Sequence, residues 1–480
     1  MPAPHPDAIA DCVLAAFRAL PAKCKPRRLS DGRRKWVPLA GIVLCRDTPT
    51  PSQTPPTSPH APVAAEPVLT CAALATGSKC LPSAKLPLAK GNVLHDWHAE
   101  ILAIRAFNRW LVDECRELAR LGRGGEERWV RWRSDIERGR GGDHTSVEQE
   151  PERMQSIHAT WVSNGLAKGE GQNEDKLDDD SNPDWQAQPF ALADNISLHL
   201  YVSDAPCGDA SMELTMAAQP DATPWPTTPS SSSPDMTDMP GRGHFSLLGV
   251  VRRKPGRADA PSTLSKSCSD KLALKQCTSL LSGVGSLLVH PAGVYLRSVV
   301  VPEERCVRDA VERAFGVEGR MAGLGNVGGG WGGGYEFGAF EVKTTERMFE
   351  YCKPVVGGSD GGEGVEPVGS NLSALWTWSG KLEVLINGVL QGRKQFDPRG
   401  ASCVSRRKVW ESVREVLTSV DEAGLCDQEA LRVVRGCATY EHLKACQPLQ
   451  ARERVKRDAR NLALRGWTRN TGDADWRFND

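Results

Sequence analysis

Apolar positions gather in short blocks separated by polar stretches. Between Ala8 and Leu20 they recur at helical spacing, which predicts a helix. Leu39–Cys45 (LAGIVLC) is an unbroken, branched apolar run, short enough to be a buried strand. Residues 99–111 (AEILAIRAFNRWL) place Ile101, Leu102, Ala106 and Trp110 on one face of a helix. Residues 197–202 (SLHLYV) alternate as a strand, and 294–301 are also strand-like. Leu382–Ile386 (LEVLI) is another strand and meets Asn387-Gly388, the commonest tight-hairpin pair. From Arg406 onward the chain is helical and basic. Strands alternating with helices around long loops predict the α/β class.

The intervening stretches are too polar to order themselves by burial. Residues 47–68 are rich in Pro, Thr and Ser, 134–188 are charged, and 217–243 are again Pro/Ser/Thr-rich. Glycine dominates 322–334 and 356–370. These read as disordered or low-complexity inserts, and no fixed period marks a repeat array.

The chain has 480 residues, with 60 Lys+Arg balancing 60 Asp+Glu. It could form one large domain or about three ordinary ones. Neutrality excludes a globally basic nucleic-acid binder but leaves room for local basic patches. Fifteen Cys fall far below the roughly 8–10% of a disulfide scaffold. No signal peptide is visible and no run approaches the ~20 apolar residues of a membrane span. The expectation is a soluble intracellular protein, cytoplasmic or nuclear, whose cysteines serve as core, metal or reactive groups.

Two strings carry candidate chemistry: His98-Ala99-Glu100 at a predicted helix start and Pro206-Cys207 at a predicted strand end. Zinc nucleobase deaminases need one His and two Cys around the metal, and a Glu that moves protons without binding it. Either string alone is weak. The second Cys usual three residues on is missing, since that position is Ala210. Most cysteines are small buried hydrophobes. Cys268, flanked by Ser267, Ser269, Asp270 and Lys271 at a predicted helix start, is poor core material and the best candidate for a third ligand.

HDWHAEILAIRAF (95–107), SDAPCGDASM (203–212) and KSCSDKLALKQ (266–276) resemble the three deaminase motifs of the adenosine deaminases acting on RNA, and more closely the fungal form of their tRNA-specific branch. ATGSKCLPSAKLP (75–87), RRKPGRADAPSTLS (252–265) and LALRGWTRNTGDADW (462–476) extend the likeness over nearly the whole chain outside the inserts. The resemblance implies one deaminase domain over 1–480, built as a cytidine-deaminase-like αβα sandwich with a mixed central sheet. It places zinc ligands on His98, Cys207 and Cys268 and the proton shuttle on Glu100. The implied reaction is hydrolysis of adenosine to inosine in tRNA, at the base 3′ of the anticodon of alanine tRNA.

The resemblance also implies a buried inositol hexakisphosphate, lined by Arg105, Lys271, Arg406, Tyr440, Lys444, Trp467 and Asp475, with Asp96 and Lys271 relaying to a zinc-bound Cys. Such a polyanion would explain basic residues crowding one end of a neutral chain; a solvated helix face or an RNA-phosphate track are the other readings. Ile104 stands where the broader family has a second Arg, and Leu274-Lys275 replace its Arg-Trp pair. Ser78 and Lys79 fall at the position that touches the target nucleotide. Arg253, Lys254 and Arg257, on a loop before the third motif, are expected to meet RNA phosphates. Editing of double-stranded RNA, free nucleoside or cytidine deamination and an inactive RNA-binding relative are the alternatives. The first lacks a visible double-stranded-RNA-binding domain, the second lacks its paired-Cys motif, and the third would be expected to have lost Glu100 or a ligand. A structural zinc module is disfavoured, since only three ligands are indicated. No membrane contact or obligate protein partner is indicated.

Overall fold

In the computed structural model, alternate residues of the central strands point to opposite sides of one sheet and build two separate cores. Ala40, Ile42 and Leu44 join the larger core with Leu198, Leu200, Val299 and Val301. Leu39, Val43, Tyr201 and Val300 join the smaller one with Ile9, Val13 and Phe17. The structure describes residues 3–30, 34–46, 67–124, 128–138, 185–218, 241, 247–254, 260–325, 327, 331–354, 367–424 and 428–478.

Helix α1 (Pro6–Arg18) covers one sheet face. The sheet contains β1 (Leu39–Arg46) and β2 (Val68–Thr76). Helix α2 (Ala99–Leu121) crosses the opposite face against β1, β2 and a later strand. A short antiparallel pair, β3 (Val130–Trp132) and β4 (Phe190–Leu192), stands apart from the sheet. Then follow β5 (Ile196–Val202), α3 (Met212–Ala217), α4 (Cys268–Thr278), β6 (Leu296–Pro302), α5 (Arg308–Phe315) and β7 (Glu341–Thr345). β8 (Ser373–Thr377), β9 (Leu382–Ile386) and β10 (Val389–Leu390) form the far edge. Helices α6 (Arg406–Glu422), α7 (Gln428–Gly436), α8 (Tyr440–Ala445) and α9 (Gln450–Leu462) complete the chain.

The sheet order is β10-β9-β8-β2-β1-β5-β6-β7. Pairing is antiparallel from β10 to β5 and parallel for β5–β6 and β6–β7. The mixed αβα sandwich is thus the observed fold. The Asn387-Gly388 turn forms as expected, with both residues at positive φ and Ile386 paired to Val389.

Most of the expected inserts lie outside the described residues: 47–66, 139–184, 219–240, 242–246 and 355–366. Their edges, however, belong to the fold. Val68 opens β2, Ala217 closes α3, and Gly369 makes a bridge with Trp36. Among the described residues no helix is long and apolar enough to cross a membrane.

Candidate active site

Two helix starts and one strand exit converge on the larger-core side of the sheet. His98 caps α2 in an extended conformation (φ −63°, ψ 147°), which puts Glu100 in the first turn. Asp96 fixes this entry: its Oδ1 accepts the His98 backbone N–H at 3.0 Å and lies 3.0 Å from the His98 Nδ1. Such a carboxylate selects the tautomer protonated on Nδ1 and leaves Nε2 for a ligand.

At the second helix start, Ser267 caps α4 by accepting the Asp270 N–H at 3.1 Å, making Cys268 the first helical residue. Cys207 lies on the loop leaving β5, and its Sγ accepts the Cys268 N–H at 3.4 Å. Ser269 clamps that loop through its hydroxyl to the carbonyls of Pro206 (2.9 Å) and Cys207 (3.0 Å). Gly208 makes the approach possible: its φ is +106°, and a Cβ there would sit 2.3 Å from Ser267 Oγ. The partial positive charge of a helix N-terminus favours an anion such as a thiolate at this spot.

Lys254 joins the halves. Its buried Nζ donates to Asp96 Oδ2 at 2.8 Å and to Cys268 Sγ at 3.1 Å. Asp96 Oδ2 also accepts from Ser265 Oγ at 2.8 Å and from Lys271 Nζ. Burial opposes its charge, but Lys254, Lys271 and His98 hold the Asp96 carboxyl well below the usual range. Burial and Lys254 push His98 toward neutrality, yet Asp96 prevails and raises it to about 10. Burial, then the nearby Cys207, raises the Glu100 carboxyl, which suits a group that must take and return a proton. A hydrogen bond from Cys268 and the Lys254 charge pull the Cys207 thiol well below its ordinary value.

Cys80, Asp96 and His98 also present ligand atoms within 4.8 Å of one another. Imidazole nitrogen and thiol sulfur are the donors zinc prefers. Asp96 is already saturated by Lys254, Lys271 and Ser265, so it orients the imidazole better than it could bind a metal itself.

Behind the site a cavity of about 290 Å³ is lined by Arg105 of α2, Lys271 and Lys275 of α4, Arg406 of α6, Tyr440 and Trp467. Arg105 Nε is buried without a hydrogen-bond partner. Burial, and then Arg406, lowers the Arg105 pKa; burial, Arg452 and Lys456 depress Lys275 more strongly. Cations crowded around a void, with carboxylate partners only for Lys271 (Asp96) and Arg406 (Asp473) among the described residues, fit a polyanion. Lys444 and Arg406 both lie over the Tyr440 ring, at 5.4 and 5.7 Å. Asp475 is exposed and does not line the cavity; the carboxylate facing Arg406 is Asp473, at 3.1 Å.

The remaining expected contacts divide. Ser78 is half-buried, and the exposed Lys79 donates to Asn371. Arg253 is half-buried and its backbone bridges Lys266. Lys254 does not face RNA at all, because Asp96 and Cys268 claim its charge inside the protein. Arg257 lies outside the described residues. Reading the sequence alone missed Cys80, Ser265 and Asp473 as parts of the site and gave Lys254 the role of an RNA contact.

The profile of the adenosine-deaminase (editase) domain matches residues 73–135 and 172–471, which include all of these groups except Asp473 and Asp475. The chain belongs to that family. It is therefore an adenosine deaminase, and its editase domain spans both converging helix starts. The chain is 33% identical over 405 residues to tRNA-specific adenosine deaminase 1 of Schizosaccharomyces pombe, covering 83% of this chain and 82% of that protein. It is 27% identical to the Saccharomyces cerevisiae protein of the same name, over 63% of this chain and 60% of that one. The Mus musculus protein of that name is 26% identical, over 91% and 93%.

Proposed function

We propose that this editase hydrolyses adenosine to inosine within tRNA, at the base 3′ of the anticodon of alanine tRNA, with Glu100 as proton carrier. The observation carrying the chemistry is a buried, pKa-raised Glu100 two residues from an imidazole whose Nδ1 is already engaged. Support for tRNA comes from the similarity to the fungal and mouse proteins named tRNA-specific adenosine deaminase 1.

His98 Nε2, Cys207 Sγ and Cys268 Sγ would hold Zn2+. Bound there, zinc supplies a Lewis acid that makes water acidic near neutral pH. Glu100 accepts a proton from the attacking water and delivers it to the departing amine, so that adenosine and water give inosine and ammonia. Lys254 would offset the negative charge of a metal-bound Cys268 thiolate, and Asp96 keeps both Lys254 and His98 in place. The target base must leave its stack to reach this depth, which costs least in a single-stranded loop. Ser78, Lys79 and Arg253 remain the proposed RNA contacts.

The cation-lined cavity is proposed to hold inositol hexakisphosphate through Arg105, Lys271, Arg406, Tyr440, Lys444 and Trp467. Lys275, which donates to the carbonyls of Leu280 (3.1 Å) and Leu281 (2.7 Å), adds a further charge.

The test maps inosine in an alanine tRNA transcript and in a long RNA duplex, with zinc and phosphorus measured on the same preparation after denaturation. Inosine confined to the anticodon-adjacent adenosine, with zinc and bound phosphorus present, is expected. Inosine in the duplex but not in the tRNA would overturn the substrate assignment, and absence of phosphorus would overturn the polyphosphate.

A further inference from the structure

Beside Glu100, on the loop that carries Cys207, stands a carboxylate that neither the proton-transfer step nor the metal donors use. Asp204 follows a fixed backbone position: Ser203 exchanges hydrogen bonds with Leu39 at 2.8 Å through both its N–H and its hydroxyl. The Asp204 side chain is three-quarters buried, yet its one ion-pair partner, Arg305, approaches no closer than 3.7 Å. That is beyond hydrogen-bond length, and among the described residues the carboxylate accepts no hydrogen bond. Arg305 is equally under-used. One terminal nitrogen donates to the Lys353 carbonyl and more weakly to Cys352 Sγ at 4.0 Å, while its Nε is buried with no partner.

A half-buried carboxylate and guanidinium left short of partners are costly unless something else satisfies them. They lie within electrostatic reach of Glu100 and Lys353, and the carboxylate keeps a quarter of its surface open. Two adjacent acceptor oxygens beside a fork of N–H donors define the complement. Among the bases, the Watson–Crick edge of guanine offers two neighbouring N–H groups next to a carbonyl oxygen. Adenine, cytosine and uracil each place a single N–H position beside an acceptor. Single-stranded loops expose such edges for reading.

We propose that Asp204 and Arg305 form a base-reading pair that selects a guanine in the loop carrying the target adenosine. The inference rests on the RNA-deaminase reading and adds a sequence determinant to it. Asp204 accepts the guanine N1–H and N2–H, and Arg305 donates to O6. The pair acts on substrate choice and takes no part in the proton transfer at Glu100.

The experiment compares kcat/KM for the full-length wild type and Asp204→Asn on tRNA transcripts in which each guanine of the target loop is replaced in turn by adenine. Wild type should show one guanine whose replacement lowers kcat/KM by about 5- to 150-fold, the range for one bidentate base contact. In Asp204→Asn that factor should collapse toward one, with zinc content retained and the melting temperature not lowered. Arg305→Lys, which keeps the charge and loses the fork, serves as second variant and should shrink the same factor. An undiminished factor in both variants, or no guanine dependence in wild type, would overturn the pair while leaving the deaminase intact. Wild type that makes no inosine in any tRNA would overturn the deaminase reading and this inference with it.

Discussion

Asp204 and Glu100 are carboxyl groups shifted upward by the same cause, burial, in a site otherwise crowded with cations. For Asp204 the shift reaches about 6, with Arg305 opposing it only in part. A folded-state pKa raised above the unfolded 3.8 means that the folded protein binds this proton more tightly. Its stabilising contribution is complete below pH 3.8 and is lost as pH rises through 6. At neutral pH the ionised carboxylate therefore works against folding, by about 3 kcal/mol at most. Asp204→Asn should raise unfolding stability at pH 7.5 by about 1–3 kcal/mol, and the gain should vanish near pH 4. Urea denaturation at the two pH values checks this; equal stability at pH 7.5 would show that Asp204 carries no strain.

Between elements, the decisive contact is the approach of the β5 exit to the α4 start. Gly208 is pressed against Ser267 at positive φ, whereas Gly424, also at positive φ (+69°), has nothing within 4 Å of a built Cβ. Gly208→Ala should thus lose stability by about 1–3 kcal/mol and release metal, because Cys207 and Cys268 separate. Gly424→Ala should cost only about 1 kcal/mol and keep its metal. Melting curves with metal analysis distinguish the two; retained zinc in Gly208→Ala would contradict the proposed thiolate pair.

The elements themselves were largely legible. Strands with alternating or short apolar runs (β1, β5, β9) and the helix after His98 follow from pattern alone. β2 was hidden because it begins at Val68, inside a Pro/Thr-rich stretch, and is built mainly of Thr and Ala. The motif residues His98, Glu100, Cys207 and Cys268 stood out by type and spacing, and the fold brings their elements together. Lys254 did not, because a basic loop residue looks like an RNA contact until its partner, 158 residues away, is known. Similarly, nothing in TGDADW says that Asp473 and not Asp475 turns inward to Arg406.

Across the whole molecule, α2 and α4 each serve two purposes. Their N-termini hold Glu100 and Cys268, while Arg105, Lys271 and Lys275 along their lengths line the cation-rich cavity. The contacts Cys268–Lys254–Asp96–Lys271 run continuously from one to the other. A chain with 60 positive and 60 negative residues thus concentrates positive charge behind its reaction centre and sets carboxylates at its front. Filling that cavity and loading the donors are one structural problem, since both fix the same two helices. The most direct test of the whole account is inosine formation in alanine tRNA by wild type and Glu100→Gln in water enriched in heavy oxygen. The account predicts heavy oxygen on the inosine base in wild type and a rate lower by at least about 100-fold in a folded, metal-loaded variant. Comparable rates in the two proteins, or inosine without the label, would contradict it.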